Sequence, residues 1–523
     1  MKKIITFFLL CFSSLLFSQV QYLDTNFGNQ GKATESFPDL ESRPEKILPL
    51  KNGGFLLLSY KYLPKYGSKF NLDFYFSRYD ANGQLDTSFG IGGFVIYPLT
   101  TNVASNSPGL DLIRLNDDGL LALCVFNNTT KLIKFTSIGD IDSSFGLNGE
   151  VNLATNQFNH ILQTSDNNIL LIGQYFDGYN NMYQFARMST SGVLDNSFGT
   201  NGTKKVDPTS YRFDIIRNVK YTFDDKILIV GASYNQATKT NGVITRFSST
   251  GDLDMTFGIN GTFILNMSMP NHYSWLEDIN VQSDGTIITC GKSDFKGNAP
   301  IGLSAKPILA KLHSNGTIVQ QFGLNGIMYF DVLFQGNDSF LNVCFDDYNR
   351  ILVTGNAQYP YPYTGGYYYF RLLNNNGTDA TDFGNNGILY FNLGSSITNF
   401  SNYITKTIII KNEIYGLGWT SYKTRRVTFF KLAKGTLNVS AVDKEKFTIF
   451  PNPVNTTFFI TGQNNQEIEK TEVFDINGRS VKKKLFNNES NIQVDISNLA
   501  SGIYTLNIHT VTGNKIAYKL IKK

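Results

Sequence analysis

Four histidines are the first candidates for chemistry: His160, His272, His313 and His509. None stands in an H-x-x-H or H-E-x-x-H spacing, which would place two imidazoles on one helix face for a metal. No G-x-S-x-G marks a strained nucleophile turn. Cys124 and Cys290 sit in the apolar runs LLALCV and TIITCG, where cysteine behaves as a small hydrophobe. With Cys344 they form an odd set without metal-ligand spacing, so neither a disulfide framework nor a metal site is expected. Asp-rich turns such as Asp346-Asp347 and Asp80-Ala81-Asn82-Gly83 lack the twelve-residue calcium pattern with its closing Glu, and they read as ordinary hairpin turns. The sequence therefore assigns no catalytic residue, no metal ligand and no cofactor. Carboxylates distant in sequence that meet only in the fold would be the exception, as a glycosidase or lyase pair.

A second candidate group is aromatic. Tyr62 and Tyr66, Tyr175 and Tyr179, and Tyr359, Tyr361 and Tyr363 cluster in three segments of variable length. Tyrosine offers a flat apolar face with a polar tip, suited to a glycan or a protein surface. The plainer reading is that these rings pack their own loops. Both readings stay open at this level.

The elements that must position these residues are strands. A motif D-x-x-F-G-x-x-G recurs as LDTNFGNQG, LDTSFGIGG, IDSSFGLNG, LDNSFGTNG and LDMTFGING, then more weakly as IVQQFGLNG and DATDFGNNG. Its phenylalanines are Phe27, Phe89, Phe145, Phe198, Phe257, Phe322 and Phe383, a period of about 60 residues that suits a repeat architecture. Each period holds a short β-rich run, a run ending in an Asp-Gly or Asn-Gly turn, a strongly apolar run such as LLALCV, and a last run before the next motif. Four antiparallel strands per unit, repeated radially, describe a propeller blade. The motif Phe reads as a buried plug and its glycines as turn positions with φ > 0. The first motif has no blade before it, and the last strands, before residue 434, have no motif after them. The N-terminal strand is therefore expected to complete the last of seven blades, which removes open edges. An open β-solenoid is the competing architecture.

A basic residue precedes the motif Phe by a near-constant interval: Arg78, Lys134, Arg187, Arg246 and Lys311, with Arg371 and Lys431 in analogous places. It either pairs with the motif Asp or lies on a solvated strand face. Val319 and Ala380 replace that Asp in the last two motifs, so a pair is not expected in every unit. In such a repeat the motif turn and the turn between the second and third runs share one uniform face. The aromatic segments lie on the opposite, variable face, where binding usually resides.

Composition excludes several classes. Aromatics make up 14%, charged residues 17%, and there are 46 glycines, which suits strands and tight turns. The formal charge is +4, about +2 once Lys2 and Lys3 are removed with the leader, so nucleic acid is not an expected partner. Residues 1–18 read as a signal peptide, with a positive start and an apolar run too short to span a bilayer. No later run of about 18 apolar residues exists, so a membrane-spanning helix is not expected.

After residue 434 the composition changes. Residues 435–446 read as a linker and 447–523 as a small β-sandwich with alternating strands. Three motifs follow in order: Pro451-Asn452-Pro453, then Asp475 to Gly478-Arg479, then Gly502 and Tyr504. This order resembles the type A C-terminal sorting domain of the type IX secretion system of Bacteroidetes. The resemblance implies that machinery as a partner and a secreted or surface-attached product. The LDxSFGxxG repeat of residues 19–434 resembles the delta-60 repeat family of β-propeller-like bacterial proteins, which implies no defined activity. The expectation is an all-β chain: a seven-bladed β-propeller closed by the N-terminal strand, followed by a C-terminal β-sandwich. Its expected role is a binding or structural module for a glycan or surface protein. An extracellular carbohydrate-active enzyme with its site in the funnel is the alternative.

Overall fold

A computed structural model describes residues 22–433 and 447–523, except for 36–40, 65–69, 104–108, 127–128, 155–156, 177–180, 208–211, 236–238, 266–272, 295–304, 332–337, 359–365, 394–400, 423, 463–466, 476–479 and 512–514. The expected leader and linker fall outside the described residues. The chain forms two compact units, Met1–Leu437 and Asn438–Lys523. Among the described residues both are all-β, and no helix is long and apolar enough to cross a membrane.

Among the described residues the first unit contains seven four-stranded antiparallel sheets, none closed on itself. The first sheet runs Glu41–Pro49, Phe55–Pro64, Phe70–Tyr79 and Phe94–Val103, in chain order. Five more repeat that order. Their first strands are Gly109–Arg114, Gln157–Gln163, Arg212–Tyr221, Tyr273–Val281 and Ser339–Phe345. The seventh is Ser401–Ile410, Glu413–Tyr422 and Thr424–Lys431, with Lys32–Thr34 as its fourth strand. The motif joins the third and fourth strands, so each sheet ends one strand beyond its motif. That is why the first motif delivers a strand that no preceding sheet can use.

Second strands such as Leu120–Phe126 (LLALCVF) are buried along most of their length. They carry apolar residues continuously because neighbouring sheets cover both of their faces. Apolar clusters fill the space between each sheet and the next. One further cluster joins the sixth and seventh sheets, and another joins the seventh to the first. Each motif Phe is buried in a different one of these clusters. Phe89 lies between sheets one and two, Phe145 between two and three, and Phe383 between six and seven. Phe27 lies between seven and one, with Phe429 at 5.1 Å and Tyr415 at 5.8 Å between ring centroids. The plug expected from the sequence is thus a plug between sheets. The turn glycine of the following sheet caps it: Gly83 has φ +74°, and a Cβ there would sit 2.6 Å from the Phe27 ring.

The N-terminal segment copies the contacts that every other motif makes. Asp86 N–H donates to the Arg78 carbonyl at 2.8 Å, and Asp142 N–H to that of Lys134 at 2.9 Å. Asp24 N–H donates to the Lys431 carbonyl at 2.9 Å, although hundreds of residues separate them. Lys32–Thr34 pairs with Thr428–Phe430. Glu35, just beyond, is buried and accepts from the hydroxyls of Tyr75 (2.7 Å) and Tyr79 (3.1 Å), and from Ser77, in the first sheet. Burial pushes its pKa up against those hydrogen bonds.

The basic residues do pair with the motif aspartates. Distances are 2.8 Å for Arg78–Asp86, 3.1 Å for Lys134–Asp142, 2.6 Å for Arg187–Asp195, 2.9 Å for Arg246–Asp254 and 3.1 Å for Lys431–Asp24. The loss expected at Ala380 does not occur. Arg371 is displaced by one residue and so is its partner, Asp379, at 2.7 Å. Lys311, opposite Val319, instead donates to the Asn375 carbonyl at 2.8 Å.

The second unit packs a three-stranded sheet (Phe447–Phe450, Thr457–Gly462, Asn491–Asp495) and a four-stranded sheet around one apolar core. The four-stranded sheet comprises Ser480–Glu489, Ile468–Phe474, Gly502–Thr510 and Lys515–Lys522. Its edge strand Ser480–Glu489 carries Lys482, Lys483 and Lys484, charges that discourage pairing with another chain.

Candidate functional site

In the first unit the first strands of all seven sheets line one cavity of about 610 Å³. Five of them contain a β-bulge at an equivalent place, at Glu45, Asn159, Glu277, Leu341 and Thr405. Arg212–Tyr221 has two, at Asp214 and Arg217. A bulge re-aims side chains that the pleat would send elsewhere. Beside the bulges runs a column of polar residues: Lys46, Asp111, His160, Asn218, Asp278, Asn342 and Lys406, all on the cavity wall.

Much of this column holds the first strands together. Asp111 accepts from Leu112 N–H at 2.8 Å, from Ile161 N–H of the next sheet at 3.0 Å and from Lys46 at 2.5 Å. Asp278 accepts from Ile279 N–H and from Val343 N–H of the next sheet, both at 3.0 Å. It also accepts from the Asn218 amide and faces Lys406 at 3.4 Å. Asn342 donates to the Thr405 carbonyl at 3.0 Å. Buried polar groups tend to be satisfied this way, and here the satisfaction crosses from sheet to sheet.

The other groups are less committed. Arg217 faces Glu277 at 3.4 Å. Glu45 has no hydrogen-bond or ion-pair partner among the described residues. Burial, with Asp111 nearby, raises its pKa to about 8 although Arg43 opposes the shift, so it holds its proton at neutral pH. His160 is 4.0 Å from Asp111. Burial, with Lys46 and Lys406 nearby, lowers its pKa to about 4 against the pull of Asp111, and it is neutral. Lys220 also has no partner among the described residues, and burial lowers its pKa. Burial works against the charge on Lys406, but Asp278 and Cys344 outweigh it and leave its pKa raised. Cys344 is pushed up to about 12 by burial, an inert thiol. No cluster of three metal-ligating side chains occurs among the described residues.

The expected aromatic site falls mostly outside the described residues: Tyr66, Tyr179, Tyr359, Tyr361, Tyr363 and the Tyr62 side chain. Tyr175 is half-buried in Ile169–Phe176, with the Lys205 ammonium 3.3 Å above its ring. The funnel cluster was missed in sequence. Aligning the runs on the polar residue before an aliphatic one (as in EKIL, NHIL, RNVK and EDIN) exposes six members of its column, and Lys406, before Thr407, is the exception.

In the second unit, Pro451, Asn452 and Pro453 form an exposed turn with both prolyl bonds cis. Asn452 Oδ1 accepts from Ile521 N–H at 2.9 Å, and Val454 N–H donates to the Ile521 carbonyl at 2.8 Å. Gly502 opens the Gly502–Thr510 strand, and Tyr504 donates to the Ala500 carbonyl at 2.8 Å. Asp475 follows Ile468–Phe474, whereas Gly478 and Arg479 lie outside the described residues. Residues 448–523 match the family described as secretion system C-terminal sorting domain. The second unit is that sorting domain. It marks the chain for interaction with the type IX machinery, secretion and attachment at the outer cell surface.

Ahead of the sorting domain, residues 224–257 match a domain of unknown function described as DUF5122 beta-propeller. No curated protein matches the chain. Solved structures similar to it include polysaccharide lyase Uly1, with 11% identity over 78% of this chain and 92% of that one, at a TM-score of 0.45. A PL25 ulvan lyase gives 10% identity over 80% and 96%, with a TM-score of 0.41. The NanB sialidase from Streptococcus pneumoniae gives 10% over 76% and 68%, with a TM-score of 0.37.

Proposed function

We propose that residues 19–434 form a seven-bladed β-propeller closed by the N-terminal strand, displayed at the cell surface as a binding module. The observation that carries this reading is the cavity wall, to which the first strand of each of the seven sheets contributes. Residues 1–18 are the leader, 435–446 the linker, and 447–523 the sorting domain, read through Pro451, Asn452, Pro453, Asp475, Gly478, Arg479, Gly502 and Tyr504. Tyr62, Tyr66, Tyr175, Tyr179, Tyr359, Tyr361 and Tyr363 are accessory ligand-binding residues in this reading, because a tyrosine ring suits a glycan or a protein surface. A rigid scaffold carrying variable loops is a usual platform for recognition.

One observation favours the enzymatic alternative: Glu45, Asp111, Glu277 and Asp278 share the cavity with His160. The chemistry of three of the four carboxylates argues for binding. Asp111 and Asp278 already accept backbone N–H groups and face cations, and Glu277 is paired with Arg217. A general base needs a free lone pair within reach of substrate. A glycan array and a polysaccharide degradation screen on the secreted protein separate the readings. Retention without product supports binding, whereas new reducing ends or unsaturated uronates establish an enzyme.

A further inference from the structure

The cavity wall sets Lys46, Arg217, Lys220 and Lys406 against Glu45, Asp111, Glu277 and Asp278. Lys46, Lys220 and Lys406 all line it. Their charges reach a common space: Asp111, Lys46 and Lys406 all act on His160, and Asp278 and Lys406 both act on Lys220. Each ammonium carries three N–H donors and no acceptor. Asp111 answers Lys46 and Asp278 faces Lys406. Both carboxylates spend other lone pairs on backbone N–H groups. Lys220 is left without hydrogen bond or ion pair among the described residues. Arg217 and Glu277 compensate each other. Burial raises the pKa of Glu45, which weakens the one carboxylate that no cation answers by contact. A half-buried cation without a contacting partner is costly, and here it faces a cavity large enough for a ligand.

We propose that this cavity binds a small oxyanion, a carboxylate or sulfate group, with Lys220 as its principal counter-charge and Lys46 and Lys406 flanking it. The inference rests on reading the first unit as a binding module and names the ligand chemistry of that module. Asn342 Oδ1 is buried there without a partner, which suits a ligand that also presents a hydroxyl. A sugar acid carries both groups.

The test uses the secreted full chain with glucuronate, sodium sulfate and glucose as probes in calorimetric titration. Binding of glucuronate or sulfate, with glucose silent, is expected, and the tighter of the two identifies the oxyanion. Lys220→Met should weaken that binding about tenfold or more, the weight of a charge-assisted hydrogen bond. It should leave the melting temperature little changed, because Lys220 makes no hydrogen bond or ion pair among the described residues. Lys220→Gln guards against collapse of the wall and should weaken binding likewise. Lys51→Met, an exposed lysine paired with Asp118 outside the cavity, should leave binding unchanged. Equal binding of glucose, silence of both anions, or full affinity in both folded Lys220 variants overturns the proposal. If the anions are silent while an array still detects a ligand, the anion assignment fails and the binding module stands.

Discussion

Closure of the ring can be tested at a single side chain. Phe27 is 2% exposed and Phe145 is fully buried. They occupy equivalent plugs, but one joins the two ends of the chain and the other joins consecutive sheets. Truncating a core Phe to Ala costs about 3–5 kcal/mol. In a cooperative unit of roughly 400 residues the unfolding entropy is about 0.8 kcal/mol/K, so each substitution should lower Tm by about 4–6 °C. Phe27→Ala should match Phe145→Ala, because Phe27 packs on Phe429, Tyr415 and Phe55 as a full interface. In an open array Phe27 would sit on a frayed end, and its loss would cost under about 1 kcal/mol, or about 1 °C. Paired calorimetric scans of the two variants decide. A Phe27→Ala shift below about 1 °C beside a full Phe145→Ala shift would refute closure.

Three other perturbations follow from the same geometry. Gly149 has φ +91°, and a Cβ there would lie 2.2 Å from Ile141 Cγ2, whereas Gly92 has φ +62° with nothing within 4 Å. Chemical denaturation should show Gly149→Ala losing about 2–4 kcal/mol and Gly92→Ala about 1. Glu45 has a folded pKa raised to about 8 from 4.5. Its contribution is complete below about pH 4.5 and is lost as pH rises through about 8, so Glu45→Gln should flatten the decline of Tm over that window. The difference should be worth about 2 kcal/mol once the cavity's access to solvent is allowed for. Deleting residues 448–523 should abolish surface display while leaving the propeller folded, as read by cell fractionation and by the melting of the retained protein.

The repeats were legible because their signals are local. A Phe that plugs an interface, glycines with positive φ and a strongly apolar second strand all leave their mark within a few residues. The orphan first motif carried the long-range pairing of Lys32–Thr34 with the seventh sheet, since a motif without a preceding sheet has one place to go. The Arg371–Asp379 pair was hidden because both partners are displaced by one residue, which a fixed-register comparison scores as a loss. The cavity was hidden for a different reason. Glu45 and Lys220 are far apart in sequence, and a bulge that turns a side chain inward comes from hydrogen bonding between strands rather than from any residue type.

The two repeated columns divide the work of the scaffold. At the motif, six of the seven basic residues meet an aspartate at the same station, and all seven phenylalanines fill equivalent gaps. Such uniformity is what closing a ring from like units demands, since a misfit in one sheet would be carried to its neighbours. On the first strands the equivalent station holds Lys46, Asp111, His160, Asn218, Asp278, Asn342 and Lys406, with four residue types in seven places. Closure alone needs no such variety. Asp111, Asp278 and Asn342 use their positions to stitch one first strand to the next, but Glu45 and Lys220 stitch nothing. Groups that are half-buried, polar and structurally idle weaken a fold unless something answers them. Together with the unpartnered Asn342 Oδ1, those two side chains mark where a ligand would complete the set.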